Sequence, residues 1–362
     1  MIHLSKHQLF SLMFLFEVGS TSVFALGIDA KQDAWIVILL ALLIGLGFVW
    51  IYTELQSAFP DKNYVEIILI VLGKKLGIPL ILLTLLGCFW HSARNLREFG
   101  ELIIITVLPE TPLLFINFIF LLVIIYVLFK GVEVLARASE IIMPAIVVFM
   151  LSLCILVYIS GDVDFTNLTP ILGDGIKPVL KTLPSLVVFP FGEMFVFLMY
   201  WNYANEKKVV RKTAMKAAFY SGILLCITVV MDITVLGAKY VSIATVPLVE
   251  TIRLINIGNI ITNFDAIGVI ILFFGGFFKM SIYINAAVLI LNTLFKIKKH
   301  NKLTIIFVSI FLLWFAIVFE PSYVFHQWMF PFDVHYFAVV YTNIAPLLLL
   351  IIYKIKKKRS EL

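Results

Sequence analysis

Ten apolar runs, bounded by charge, proline or glycine, recur along the chain. Each is near the roughly 20 residues that a helix needs to cross a bilayer. They predict α1 at about 8–27, α2 at 34–59 (stopped by Pro60), α3 at 78–107, α4 at 112–130 and α5 at 141–160. The second five are α6 at about 180–202, α7 at 213–237, α8 at 263–296, α9 at 303–319 and α10 at 336–354. Two further stretches, 62–75 and 247–258, have helical patterns but are too polar to span.

Two of the runs are interrupted at mid-depth. The first reads FEVGSTSVF at 16–24, with Gly19, Ser20, Thr21 and Ser22 in its middle. The sixth reads LPSLVVFPFGEMF at 183–195, with Pro184, Pro190 and Gly192. Proline removes a backbone donor and clashes with the preceding turn, and glycine loosens the helix. Broken backbone at membrane depth persists only where protein or a watery cavity satisfies it. The first and sixth runs hold equivalent places in two halves of five helices. That placement predicts an inverted-repeat transporter fold with its site at the breaks, although the halves share no evident sequence similarity.

Composition fixes the class. Hydrophobic residues make up 62% of 362 and charged residues 14%, against about 45–50% and about 25% in soluble domains. An all-α integral membrane protein is expected, with one transmembrane domain over 1–362 and no separate soluble domain. The net charge of +6 suggests nucleic acid until the basic residues are placed. Twenty of the 28 Lys and Arg lie on the side of the N terminus, five on the other, and three (Arg94, Arg97, Lys279) inside spans. This bias predicts an even number of helices with both termini cytoplasmic, and no nucleic-acid partner. Cys88, Cys154 and Cys226 all fall in apolar runs without metal spacing. The first run carries Glu17 and no small-residue cleavage site, so it reads as a retained helix.

A series of motifs carries a family resemblance: LREFGELI (96–103), LPETP (108–112), GVEVLARASEIIMP (131–144), FPFGE (189–193), PLVETIRLINIG (247–258) and FDAIGVIILFFGGFFKMS (264–281). Together they resemble the spore germination permeases, the B subunits of nutrient germinant receptors within the amino acid–polyamine–organocation superfamily. The resemblance runs from about Leu4 to Lys354. It implies a LeuT-like fold of ten helices, residence in the spore inner membrane, and a complex with a larger A subunit and a lipoprotein C subunit. In such a fold, helices 1, 3, 6 and 8 line the central cavity.

Ionisable residues at membrane depth cost about 2.5–3.5 kcal/mol on insertion scales, so each demands a reason. Glu17, Glu193 and Lys279 lie at similar depth in α1, α6 and α8. With Gly19, Ser20, Thr21, Ser22, Phe191 and Gly192 they form the candidate ligand site. The half-helix ends would receive a carboxylate, one glutamate an ammonium, and Lys279 would neutralise the other acid. The blander alternative is a Lys–Glu pair that only locks helices. His91, Arg94, Arg97, Glu98 and Glu101 share one 120° face of α3 at 100° per residue. They read as an ionic network or an outer gate, with Arg94–Glu98 and Arg97–Glu101 able to pair at i,i+4. Asp232 reads as solvated near the outer end of α7, and Glu54 as interfacial. No Walker loop, GxSxG or metal-ligand cluster appears, so neither catalysis, cofactor nor metal is expected. The expected function is a receptor subunit binding a small nutrient, an amino acid; the rivals are an active amino acid permease and a receptor-gated water or ion conduit.

Overall fold

The computed structural model describes residues 3–255, 265–297, 301–320 and 322–359. Lys298, Lys299 and the end of PLVETIRLINIG at 256–258 lie outside the described residues, as does the predicted start of α8 at 263. Helices dominate, and the sole bridge among the described residues pairs Leu4 with Ala204 in parallel.

α1 runs over Lys6–Val18, started by a reciprocal capping box between Ser5 and Gln8. It ends earlier than its apolar run because Gly19 turns the chain into a single 3₁₀ turn, Ser20–Val23. α2 is Ala34–Ala58. α3 is Tyr64–Thr106, and Gly73, at φ 69°, makes a corner that sets off the polar stretch expected at 62–75. α4 is Leu113–Lys130 and α5 is Val132–Ser160. α5 begins nine residues before its apolar run because the amphipathic segment with Glu133, Arg137 and Glu140 continues the helix into the interface.

α6 is Lys177–Val188, resuming as a 3₁₀ helix at Phe191–Met199 after the Phe189–Pro190 break. α7 is Val210–Leu236, followed by the short helix Pro247–Arg253; α8 is Asp265–Leu294 and α9 is Lys302–Val318. α10 corrects the expectation most. It begins at Tyr323, passes through π turns at Asp333–Ala338 and Val340–Ile344, and ends at Lys358. Pro331, Asp333 and His335 interrupt the apolar pattern there, but widened turns absorb them without ending the helix.

Eight of the described helices are long and apolar enough to cross a bilayer. α1 and α9 are shorter at 13 and 17 residues, and with them the spans number ten. α1 can be short because it faces no lipid: Leu12 through Val18 are all buried. Large exposed apolar side chains such as Leu43, Ile141, Phe307 and Trp314 cover the outer helices instead, where the lipid is.

The packing repeats with a step of five. α1 packs on α5, α7 and α8; α6 packs on α10, α2 and α3. Two of the broad interfaces, α2 on α7 and α3 on α8, join equivalent helices of the two halves. The polar helices at 64–72 and Pro247–Arg253 each follow the second helix of their half. This is a 5+5 arrangement with its first and sixth helices broken.

Contacts at the two ends sort the connections as the basic residues do. At one end Leu4 N–H donates to the Tyr203 carbonyl and Asn205 N–H to the Leu4 carbonyl, both at 2.9 Å. At the same end Arg211 pairs with Glu54, and Lys207 lies 3.5 Å from Asp61. At the other, Lys31 pairs with Asp174 at 2.7 Å, and Asp33 accepts from the Leu172 N–H. The Asp174 carboxylate bonds Lys31 directly and holds its ammonium above the usual lysine pKa.

Candidate functional site

The breaks bring α1, α3, α6 and α8 together at the centre. Glu193 follows the Phe191–Gly192 step, and Lys279 reaches it from α8 with Nζ 2.5 Å from Oε2. Both side chains are wholly buried. Oε1 of Glu193 accepts a hydrogen bond from the Tyr283 hydroxyl at 2.8 Å and faces His91 Nδ1 at 3.3 Å. Lys279 also donates to Thr21 Oγ1 at 3.2 Å, and its ammonium lies 4.6 Å from the Phe189 ring centre and 5.4 Å from that of Phe16. Cation–π attraction of this kind stabilises a desolvated ammonium by about 2 kcal/mol.

Glu17 lies in the last turn of α1, fully buried, and neither carboxylate oxygen has a hydrogen-bond partner among the described residues. The hydroxyls beside it divide their work. Ser20 donates to Asn95 Oδ1 at 2.8 Å, and Ser22 donates to the Gly19 carbonyl. Thr21 accepts from Lys279, so its own proton is not spent in that contact. Gly19 is required by a backbone crossing: a Cβ there would meet the Gly275 carbonyl oxygen at 2.9 Å, and one on Gly275 would fall 2.5 Å from the Gly19 carbonyl carbon.

Two expected ligand-site residues are committed elsewhere. The Phe191 ring packs against Gly45 of α2 and Gly222 of α7. A Cβ on Gly192 would lie 2.8 Å from Asn343 Oδ1, so this face of the α6 break is filled by α10.

The face of α3 divides likewise. His91 belongs to the centre: Nε2 is 2.6 Å from the Tyr341 hydroxyl, and the ring stacks on Tyr283. Arg94 and Glu98 do not pair with each other. Arg94 binds Glu320 at 3.1 Å and the His326 carbonyl at 3.0 Å, while Glu98 lies 2.8 Å from His326 Nε2. His326 Nδ1 is 2.6 Å from Glu320. Arg97 makes the expected pair with Glu101 at 2.5 Å and also donates to the Glu320 carbonyl. The network ties α3 to the start of α10. Between it and the centre lie the rings of Phe24, Phe189 and Phe330, 5.4–6.4 Å apart. A cleft of about 20 Å³, room for about one water, opens beside them among His91, Arg94, Asn95, Glu98 and Asp333.

Asp232 is buried rather than solvated, because the Pro247–Arg253 helix covers it and Thr251 donates to it at 2.7 Å. Glu54 is interfacial, half-buried against Arg211. Six participants went unnoticed in the sequence: Asn95, Tyr283, Glu320, His326, Tyr341 and Asn343. Tyr283 stands one turn beyond Lys279, and Glu320 closes an apolar run; both spacings were signals.

Comparison with known proteins gives a consistent picture. A sequence profile described as "Spore germination protein" matches residues 3–324. The chain is 35% identical to spore germination protein KB of Bacillus subtilis strain 168 over 301 residues, 83% of this chain and 81% of that protein. It is 24% identical to spore germination protein XB of Bacillus anthracis, covering 70% of each. Among solved structures, MhsT in complex with L-phenylalanine superposes with a TM-score of 0.67 at 14% identity, over 98% of this chain and 99% of MhsT. Mhp1, a nucleobase-cation-symport-1 family transporter, gives 0.67 at 13% identity, over 91% and 74%. The fold is LeuT-like.

Proposed function

The chain belongs to the spore germination permease family, and from that premise we propose that it is the ligand-binding B subunit of a nutrient germinant receptor, taking an amino acid at the breaks of α1 and α6. The observation that carries the reading is the inequality of the two central acids. Glu193 is already matched by Lys279, Tyr283 and His91, whereas Glu17 has no hydrogen-bond partner among the described residues. A ligand ammonium belongs on Glu17, and its carboxylate on the hydroxyl of Thr21 and the backbone at the break. Binding favours one arrangement of the broken helices only by its differential affinity for the two. The preference then passes to an A subunit and a lipoprotein C subunit in the spore inner membrane, with both termini in the spore core.

The test is thermal stabilisation of the purified protein in lipid nanodiscs by each L-amino acid in turn. One or a few amino acids should raise the melting temperature. Glu17→Gln should weaken that ligand by about 10- to 100-fold, the worth of a charge-assisted contact of about 1.5–3 kcal/mol. No stabilisation by any amino acid sinks the reading. The fold is shared with transporters, which favours a permease as second reading. Uptake of the stabilising amino acid into proteoliposomes decides for the permease, and binding without uptake for the receptor.

A further inference from the structure

The charges at the centre do not balance. Glu17 and Glu193 are two buried acids facing one ammonium, that of Lys279. His91 is turned to Glu193 and Tyr341: Nδ1 lies 3.3 Å from the Glu193 carboxylate and Nε2 2.6 Å from the Tyr341 hydroxyl, so neither ring nitrogen is directed to Glu17.

The other ionisable groups at the centre are Tyr52 from α2, Tyr283 from α8, and Tyr341 and Asp333 from α10, none of them a cation. α5 and α7 also pack on α1, but their charges stand at its ends. Glu133 and Glu140 contact residues 3–8, Arg211 pairs with Glu54, Arg137, Lys212 and Lys216 are exposed, and Asp232 takes the Thr251 hydroxyl. Among the described residues Glu17 therefore has no donor, and the one ammonium near it is paired with Glu193. An ionised carboxylate so placed bears its desolvation penalty unrelieved, and the neutral acid is the cheaper form.

We propose that Glu17 is a proton site: it holds a proton when no amine is bound and releases it when a ligand ammonium takes its place. The Glu17 O–H bond breaks, the proton passes to water, and the carboxylate left behind pairs with the incoming ammonium. Beside Glu17 one positive charge so replaces another, while the ligand's own carboxylate is borne by the Thr21 hydroxyl and the backbone at the break. The exchange rests on the amino acid reading above; the resting proton does not.

Infrared spectroscopy of the protein in liposomes, in amine-free potassium phosphate at pH 7, tests both halves. Wild type should show the carbonyl stretch of a protonated glutamic acid, displaced by [13C]glutamate labelling and lost in Glu17→Gln. Should that variant fail to accumulate, Glu17→Asp should keep a carboxylic acid band that no longer answers to the glutamate label. Absence of any such band in labelled wild type overturns the proposal. An equimolar mixture of the twenty L-amino acids should then abolish the band and release one proton per protein into weakly buffered medium. A rise in melting temperature with the band intact overturns the exchange while leaving amino acid binding in place. No change in melting temperature overturns amino acid binding, and the band still decides whether Glu17 is a proton site.

Discussion

Removing one charge from the central trio strands another. Glu193→Gln leaves the Lys279 ammonium buried without its counter-ion, and Lys279→Met does the same to Glu193; such losses cost about 3–5 kcal/mol. Each single variant should melt well below wild type, and the double variant should regain most of the loss in the same calorimetric assay. If the pair only locks helices, the double variant also regains amino acid binding. A double variant that is stable yet binds weakly shows that the pair shapes the site. At this scale the sequence was legible at Glu17, Glu193 and Lys279, where a charge interrupts an apolar run at mid-depth, but not at Asp232, which the Pro247–Arg253 helix covers. It was silent on Tyr341 and Asn343, since neither an aromatic ring nor an amide stands out in a chain so rich in apolar and aromatic side chains, and only the π turns of α10 aim them inward.

Between elements, the tightest backbone-to-backbone constraint is the crossing of α1 and α8 at Gly19 and Gly275. Gly275→Ala would place a methyl inside contact distance of the Gly19 backbone, and overpacking of this kind costs about 1–3 kcal/mol. Gly276→Ala is the matched control, since its Cβ would approach nothing closer than Phe99 at 3.8 Å. The first variant should lower the melting temperature by several degrees and the second leave it unchanged; equal behaviour would show that the crossing yields freely. Helix existence was readable from apolar runs, but helix ends were not. α5 and α10 extend well beyond their runs because their added turns lie at the interface or against other helices, where polarity is no bar.

Across the whole molecule, the ends of the helices fall on two faces, and the excess of Lys and Arg on one of them predicts that this face meets the cytoplasm. In a background lacking Cys88, Cys154 and Cys226, Asp162→Cys should react with an impermeant maleimide from outside intact cells, and Glu206→Cys only after permeabilisation. The reverse pattern would invert the orientation without altering the fold. The two-fold plan was legible in the matched breaks alone, because spatial equivalence of the halves leaves no trace when their sequences have diverged.

The bridge between Leu4 and the 203–205 segment joins the inner ends of both broken helices into one mechanical body. Force applied to the chain around 204–209 is delivered to α1 through two backbone hydrogen bonds, without passing through the site. A partner gripping this single handle would move the two breaks together, so under the proposed orientation and site a displacement made on the cytoplasmic side and a ligand seated at the breaks would act as load and counterweight on the same lever.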